Sequence, residues 1–238
     1  MSDPVIILGA TGGIGAALAR RLHANGRALH LIARDSARLG ALADELGASQ
    51  AVADVMDEAA LAAAVAVAGP RVGGLAYCVG SIVLKPLKRA TSAEFFTAFR
   101  LNALGAALAV AAAADGLRAT GGSVVLFSTV AVRSGFPGHA IVSAAKGAVE
   151  GLTLALAAEL APVRVNAIAP SLTRTPLAAA LTGNEAMAKA IAAQHPIPRL
   201  GEAEDSAALA AFLLGPDAGW ITGQIIGVDG GRASLRTT

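Results

Sequence analysis

This sequence predicts an α/β fold: one parallel sheet, doubly wound, with helices on both faces. Three observations predict it. Apolar β-rich runs alternate with Ala- and Leu-rich helical stretches from end to end, the order that βαβ crossovers produce. The strand candidates are near-continuous apolar runs, as a sheet buried on both faces requires. The 238 residues suffice for one sizeable core, and no stretch reads as an interdomain linker.

Taken in order, strands are predicted near Val5–Leu8, Ala28–Ala33, Ala51–Ala53, Gly74–Val79, Ser123–Phe127, Val163–Ile168 and Gln224–Val228. Helices fall between them, near Ile14–Asn25, Ala37–Leu46, Glu58–Ala68, Ala93–Leu117, Ile141–Leu160, Asn184–Ala193 and Asp205–Leu214. The densest Pro/Gly spot, Gly135-Phe136-Pro137-Gly138, is loop-sized.

Composition narrows the function classes. Hydrophobic residues make up 55% of the chain and the mean hydropathy is +0.61. The longest apolar runs, Ala59–Pro70 and Ala103–Ala114, are nevertheless shorter than a membrane span needs, and their Ala content suits tightly packed helices. The N-terminus passes almost directly into a strand without a basic flank, so no signal peptide is expected. The single Cys78 fits a reducing, cytoplasmic setting. With 19 basic against 17 acidic side chains and 3% aromatics, nucleic-acid binding is not expected.

The first strand leads into Gly9-Ala10-Thr11-Gly12-Gly13-Ile14-Gly15, which opens the first helix. Glycines at 9, 13 and 15 permit a tight turn and bring backbone N–H groups against a pyrophosphate, with the helix N-terminus adding partial positive charge. Strand, turn and helix together predict a dinucleotide site. The second strand ends at Ala33, with no carboxylate at its tip, and Arg34 follows. A guanidinium there pairs with the 2′-phosphate of NADP(H), which is therefore expected in preference to NAD(H). Alternatively Arg34 is solvated while Asp35 or Ser36 caps the next helix. Asp54, before Val55 and after the third strand, is placed either to accept from an adenine amino group or to cap a helix.

Together these motifs resemble the short-chain dehydrogenase/reductase family over essentially the whole chain. Gly9, Gly13 and Gly15 match its Gly-x-x-x-Gly-x-Gly; Asp54 falls where the family contacts adenine. Pro170-Ser171-Leu172-Thr173-Arg174-Thr175 resembles its Pro-Gly-x-x-x-Thr stretch, which holds the nicotinamide carboxamide. Ile221-Thr222-Gly223-Gln224 and Val228-Asp229-Gly230-Gly231 resemble its closing strand. The resemblance implies a single Rossmann domain over residues 1–238 with a seven-stranded parallel sheet, a substrate lid at about 176–200, no metal, and a homodimer or homotetramer paired through the two long helices.

Four departures stand out. Leu8 replaces a Thr, Ser171 replaces a Gly, and Tyr77-Cys78-Val79-Gly80 replaces Asn-Asn-Ala-Gly. Val142 stands where the family carries the Tyr that donates a proton to the substrate carbonyl. What remains of the implied machinery is Asn102, a hydroxyl at Thr129 with Ser128 beside it, and Lys146, which in the family also holds the nicotinamide ribose. Val142 and Lys146 share a helix face, and Val has no proton to give. His139, Tyr77, Ser143 and Lys146 itself are the candidate substitutes. His139 is equally a loop or cap histidine, Tyr77 is expected to point into the helix layer, and Ser143 to face away.

The expected substrate is a small carbonyl or alcohol compound. Leu177, Leu181, Met187 and Ile191 give the lid an apolar face, which ordinary helix packing also explains. Lys85, Lys88 and Arg89 are placed to meet a phosphopantetheine or other acidic group of a thioester-linked substrate, or to form a solvated charged loop. Three functions compete: an NADP(H)-dependent oxidoreductase with a substituted proton donor, a catalytically silent cofactor-binding sensor or scaffold, and an epimerase or dehydratase on the same scaffold.

Overall fold

The computed structural model describes residues 3–236. In order, the chain runs β1 (Val5–Leu8), α1 (Gly13–Ala24), β2 (Leu29–Ala33), α2 (Ser36–Leu46), β3 (Ser49–Val52), α3 (Glu58–Ala66), β4 (Gly74–Tyr77), α4 (Ser92–Phe99), α5 (Gly105–Arg118) and β5 (Ser123–Phe127). It continues with α6 (Ala131–Ser134), α7 (Ala140–Glu159), β6 (Arg164–Pro170), β7 (Thr173–Arg174), α8 (Ala179–Thr182), α9 (Glu185–Ala192), β8 (Gly201–Glu202), α10 (Ala203–Leu214) and β9 (Ile225–Val228). Seven strands form one sheet in the order β3-β2-β1-β4-β5-β6-β9, and every neighbouring pair is parallel.

The central strand shows why both faces are covered. Ile6 and Leu8 join a core with Leu61, Ala106, Val110 and Val149, from α3, α5 and α7. Val5 and Ile7, pointing the other way with the period-2 alternation of a strand, join Leu18, Leu39 and Ala210, from α1, α2 and α10. All four β1 side chains are fully buried. Strand order reverses between β1 and β4, so a crevice opens beyond their carboxyl ends, where doubly wound sheets bind ligands. Only glycine fits at position 9: its φ is +75°, and a Cβ there would lie 3.0 Å from the Cys78 carbonyl carbon just past β4.

All seven predicted main-sheet strands are present, with ends shifted by up to two residues. The third strand lies at Ser49–Val52 rather than Ala51–Ala53 because backbone pairing with β2 sets it and its polar start lies on an exposed edge. The expected single helix over 93–117 is two, α4 and α5, joined by a π turn at Arg100–Leu104. That turn is braced from the sheet: the Tyr77 hydroxyl donates to the Leu101 carbonyl at 2.7 Å. A Cβ on Gly105 would collide with the same phenol. Tyr77 thus points into the helix layer, as expected.

The continuous helical segment 92–118, formed by α4, the π turn and α5, and helix α7 (140–159) are longer than the apolar runs within them, and by length and composition alone both are apolar enough to cross a membrane. Here Ala106, Val110 and Leu117 of one and Val149 of the other are buried in the sheet-facing core.

Gly105→Ala is expected to destabilise the fold by about 1–3 kcal/mol through overpacking against Tyr77. The check is urea unfolding: a lowered midpoint at unchanged slope.

Candidate active site

Two adjoining cavities occupy the crevice. The first, about 620 Å³, lies beyond β1 and β2. Gly9, Thr11, Gly13 and Ile14 line it from the glycine turn, with Arg34 and Val55 beyond the next strands. Helix α1 starts here without a side-chain cap at Gly12 and without an acidic residue in its first turn. By contrast α2, α3, α4 and α9 are capped by Asp35, Asp57, Thr91 and Asn184. The α1 amide groups therefore stay available to an anion. Gly15 packs against the turn from behind, where a Cβ would collide with the Gly9 carbonyl; Gly13 has no room for one because Thr175 would lie 2.7 Å away.

At the end of β2, Asp35 spends its carboxylate on the Arg38 amide (3.0 Å). The Arg38 guanidinium donates to the Thr11 carbonyl at 2.6 Å and lines the same cavity as Arg34. Arg38 stands in the first turn of α2, four residues after Arg34, which lies just before the Asp35 cap. Asp54 does not line the cavity. One oxygen accepts from the Met56 amide at 2.9 Å and the other lies 3.7 Å from Arg34.

The second cavity, about 460 Å³, lies beyond β4, β5 and β6. It shares a wall with the first, formed by Ile14, Cys78, Val79, Gly80, Thr175 and Leu177. Ser128, Thr129, His139, Val142, Lys146, Pro170 and Thr173 line it. Lys146 is 7% exposed and its Nζ donates to the Phe127 carbonyl at 2.7 Å. Burial brings its pKa down to about 8. A Cβ on Gly80 would lie 3.2 Å from Nζ and 3.1 Å from Asn102 Oδ1, so the lysine, the asparagine and the shared wall meet at this glycine.

Asn102 projects from the π turn. Its amide donates to the Ala98 carbonyl at 2.8 Å and the Ser81 hydroxyl at 3.1 Å, and its Oδ1 accepts from the Ser81 amide at 3.3 Å. The Ser128 hydroxyl is committed to Glu150 at 2.8 Å. Thr129 Oγ1 accepts weakly from the Ala131 amide at 3.3 Å, leaving its O–H to donate.

The candidate acids separate. Tyr77 lines neither cavity, and burial raises its pKa. Ser143 donates to the Ala131 carbonyl at 3.0 Å and lies off the cavity wall. His139 caps α7 in position but not by side chain. Its Nδ1 lies 2.9 Å from the Pro137 carbonyl and its ring packs edge-on to Phe136. Val142 is buried in the wall between them. His139 and Lys146 remain.

Of the apolar residues in the segment 176–200, Leu177, Leu181 and Ile191 line the second cavity, whereas Met187 is exposed. Lys85 is ion-paired with Glu94, and Lys85, Lys88 and Arg89 lie off both cavity walls. Sequence reasoning missed the hydrogen bond between Ser171 Oγ and His195 Nε2 (2.8 Å), because a 24-residue separation leaves no local signal. Among the described residues no cluster of His, Cys, Asp or Glu can hold a metal ion.

A family model described as enoyl-(acyl carrier protein) reductase matches residues 9–233. A protein of Xanthobacter autotrophicus named inactive 2-(S)-hydroxypropyl-CoM dehydrogenase 2 is 37% identical, over 92% of this chain and 100% of its own. A short-chain type dehydrogenase/reductase from Mycobacterium ulcerans superposes with a TM-score of 0.92 at 31% identity, over 99% of this chain and 92% of that one. A gluconate 5-dehydrogenase from Burkholderia cenocepacia, solved in complex with NADP and tartrate, gives 0.92 at 27% identity, over 99% and 97%.

The buried ammonium has a consequence for stability. Folding lowers the Lys146 pKa from an ordinary 10.5 to about 8, so between those values the unfolded chain holds a proton that the folded chain has released. Stability attributable to this group therefore rises with pH across that window, and the full cost of burying the charge is felt below it. Lys146→Met is expected to be more stable than wild type at pH 7 by about 1–3 kcal/mol. The gain should shrink towards pH 10.5 in paired urea melts.

Proposed function

We propose, starting from the fact that this chain belongs to the short-chain dehydrogenase/reductase family, that it is an NADP(H)-dependent oxidoreductase. It moves a hydride between the nicotinamide and a small carbonyl or alcohol substrate, with a proton donor other than tyrosine. One observation carries the reading. The cavity floored by the uncapped helix α1 and the cavity holding Thr129 and Lys146 share a single wall, so a dinucleotide in one can present its reactive end to a substrate in the other.

The residues fit such a dinucleotide. The glycine turn and the α1 amides would hold the pyrophosphate, and Arg34 and Arg38 the 2′-phosphate. Thr175, with the backbone after Pro170, would hold the carboxamide. When bound, the nicotinamide supplies or accepts the hydride. Thr129 donates a hydrogen bond to the substrate oxygen, stabilising the charge that develops there. Lys146 releases the proton from Nζ: a buried ammonium with a pKa of about 8 is suited to general acid catalysis near neutrality. Asn102, hydrogen-bonded to Ser81 and adjoining Gly80, holds the loop against which Lys146 sits. Residues 176–200 act as the lid of this single domain.

We also propose that the protein acts in the cytoplasm, away from membranes and nucleic acids, as a homodimer or homotetramer. Phe96, Phe99 and Leu154 stand exposed on α4 and α7, where a second copy would cover them.

A second reading, a catalytically silent NADP-binding sensor or scaffold, is favoured by Val142 in the cavity wall. A relative whose name calls it inactive points the same way.

Replacing both Arg34 and Arg38 by Ala is expected to weaken NADPH binding by roughly 10- to 100-fold while changing NADH binding little. Wild type that binds NADH more tightly than NADPH overturns the cofactor reading. Carbonyl reduction should fall as pH rises through about 8, where Lys146 loses the proton it must give. Lys146→Met should cost about 10²–10⁴-fold in kcat and His139→Ala less than about tenfold; the reverse order would make His139 the acid. NADPH oxidation over a ketone panel, wild type beside Val142→Tyr, separates the two readings. A silent wild type with an active variant would establish the sensor or scaffold.

A further inference from the structure

The turn after β9 delivers a cation to the substrate cavity. Asp229 shapes that turn: its two carboxylate oxygens accept from the amides of Gly231 and Ala233, each at 2.9 Å, while the Arg232 amide donates to the Asp229 carbonyl at 3.1 Å. Gly230 and Gly231 adopt φ of +59° and +86°, a region that side chains disfavour. A Cβ on Gly231 would also lie 2.9 Å from Leu235. The turn is thus rigid by construction, and it places Arg232 in the cavity wall.

The Arg232 guanidinium is held on two sides. It stacks over the Phe136 ring at 4.7 Å, and Nη2 donates to Gln194 Oε1 at 2.6 Å. Phe136 and Gln194 line the same cavity. Among the described residues, one of the five guanidinium donors is spent in this way, and to a neutral amide. Partial burial strips the group of water, lowering its pKa without discharging it. Among the described residues no Asp or Glu lines the cavity; its cations are Arg232 and Lys146, and the rest of the lining is largely apolar. A partly desolvated guanidinium facing a cavity without a carboxylate is a standing demand for an anion.

We propose that Arg232 is an anion-binding subsite, and that the substrate is a carbonyl or alcohol compound whose apolar body ends in a carboxylate. This rests on the reading of the cavity as the substrate chamber. The volume, about 460 Å³, suits a small ligand. Lys146 and Thr129 would serve the reacting oxygen, and Arg232, fixed by Phe136 and Gln194, would set the register of the opposite end.

The test pairs straight-chain keto acids with their methyl esters as substrates for NADPH oxidation. Wild type is expected to favour acid over ester by roughly 10- to 100-fold in kcat/KM. Arg232→Met should bring that ratio close to one, and Arg232→Lys should retain part of it. Equal rates on acid and ester in wild type, or an unchanged ratio in Arg232→Met, overturn the proposal. If no substrate turns over, titration calorimetry on the NADP-saturated protein decides, using a straight-chain carboxylate and its primary amide. Preference for the carboxylate, lost in Arg232→Met, upholds the subsite while the oxidoreductase reading falls. Equal binding of carboxylate and amide overturns the subsite.

Discussion

The buried ammonium of Lys146 is the constraint around which this molecule is arranged. A charge taken out of water is tolerated only when its donors are satisfied and its surroundings are shaped to it. The Phe127 carbonyl at the end of β5 meets it at 2.7 Å, and Gly80, without a Cβ, leaves space beside it. One side chain therefore ties α7 to β5 and fixes how closely the loop after β4 can approach. That loop forms part of the wall shared by the two cavities, so the packing that makes the lysine costly to bury also shapes the boundary between them.

The π turn is the second half of this arrangement. One extra residue in a turn of helix redirects Asn102 towards Ser81 and Gly80, and the insertion is held open by Tyr77 beneath it. Tyr77 stands where the family has an asparagine. Its hydroxyl serves the Leu101 carbonyl in the π turn. Position 142 is different. Valine in the cavity wall offers no hydroxyl, while Thr129 and Lys146 line the same cavity. The buried lysine, the costliest member of this group, is kept beside the cavity together with Asn102 and Thr129.

Much was legible in local pattern. Val5–Leu8 reads as a strand buried on both faces because all four residues are apolar, and the structure buries every one. The glycines at 9, 13 and 15 signal the turn because each has a steric reason that no other residue meets. The illegible parts were long-range. Residue type leaves Arg34 either to meet a phosphate or to stay solvated, and gives no sign of Asp54 3.7 Å away. Lys85 looked available for an acidic substrate until Glu94 proved to hold it. Spacing points to Thr129 with Ser128 beside it, and either hydroxyl can donate; Glu150, on α7, commits Ser128 and leaves Thr129.

By itself, then, the sequence determined the parallel doubly wound sheet, the glycine turn after its first strand and the valine at position 142. Each is written in residue type at fixed local spacing, where backbone geometry and hydrophobic periodicity act directly. Only the tertiary structure decided which candidate acids reach the cavity, how Lys146 is desolvated, and that Arg232, Phe136 and Gln194 converge on one wall. These depend on segments distant in the chain meeting in space, and burial and electrostatic environment belong to that meeting rather than to any residue alone.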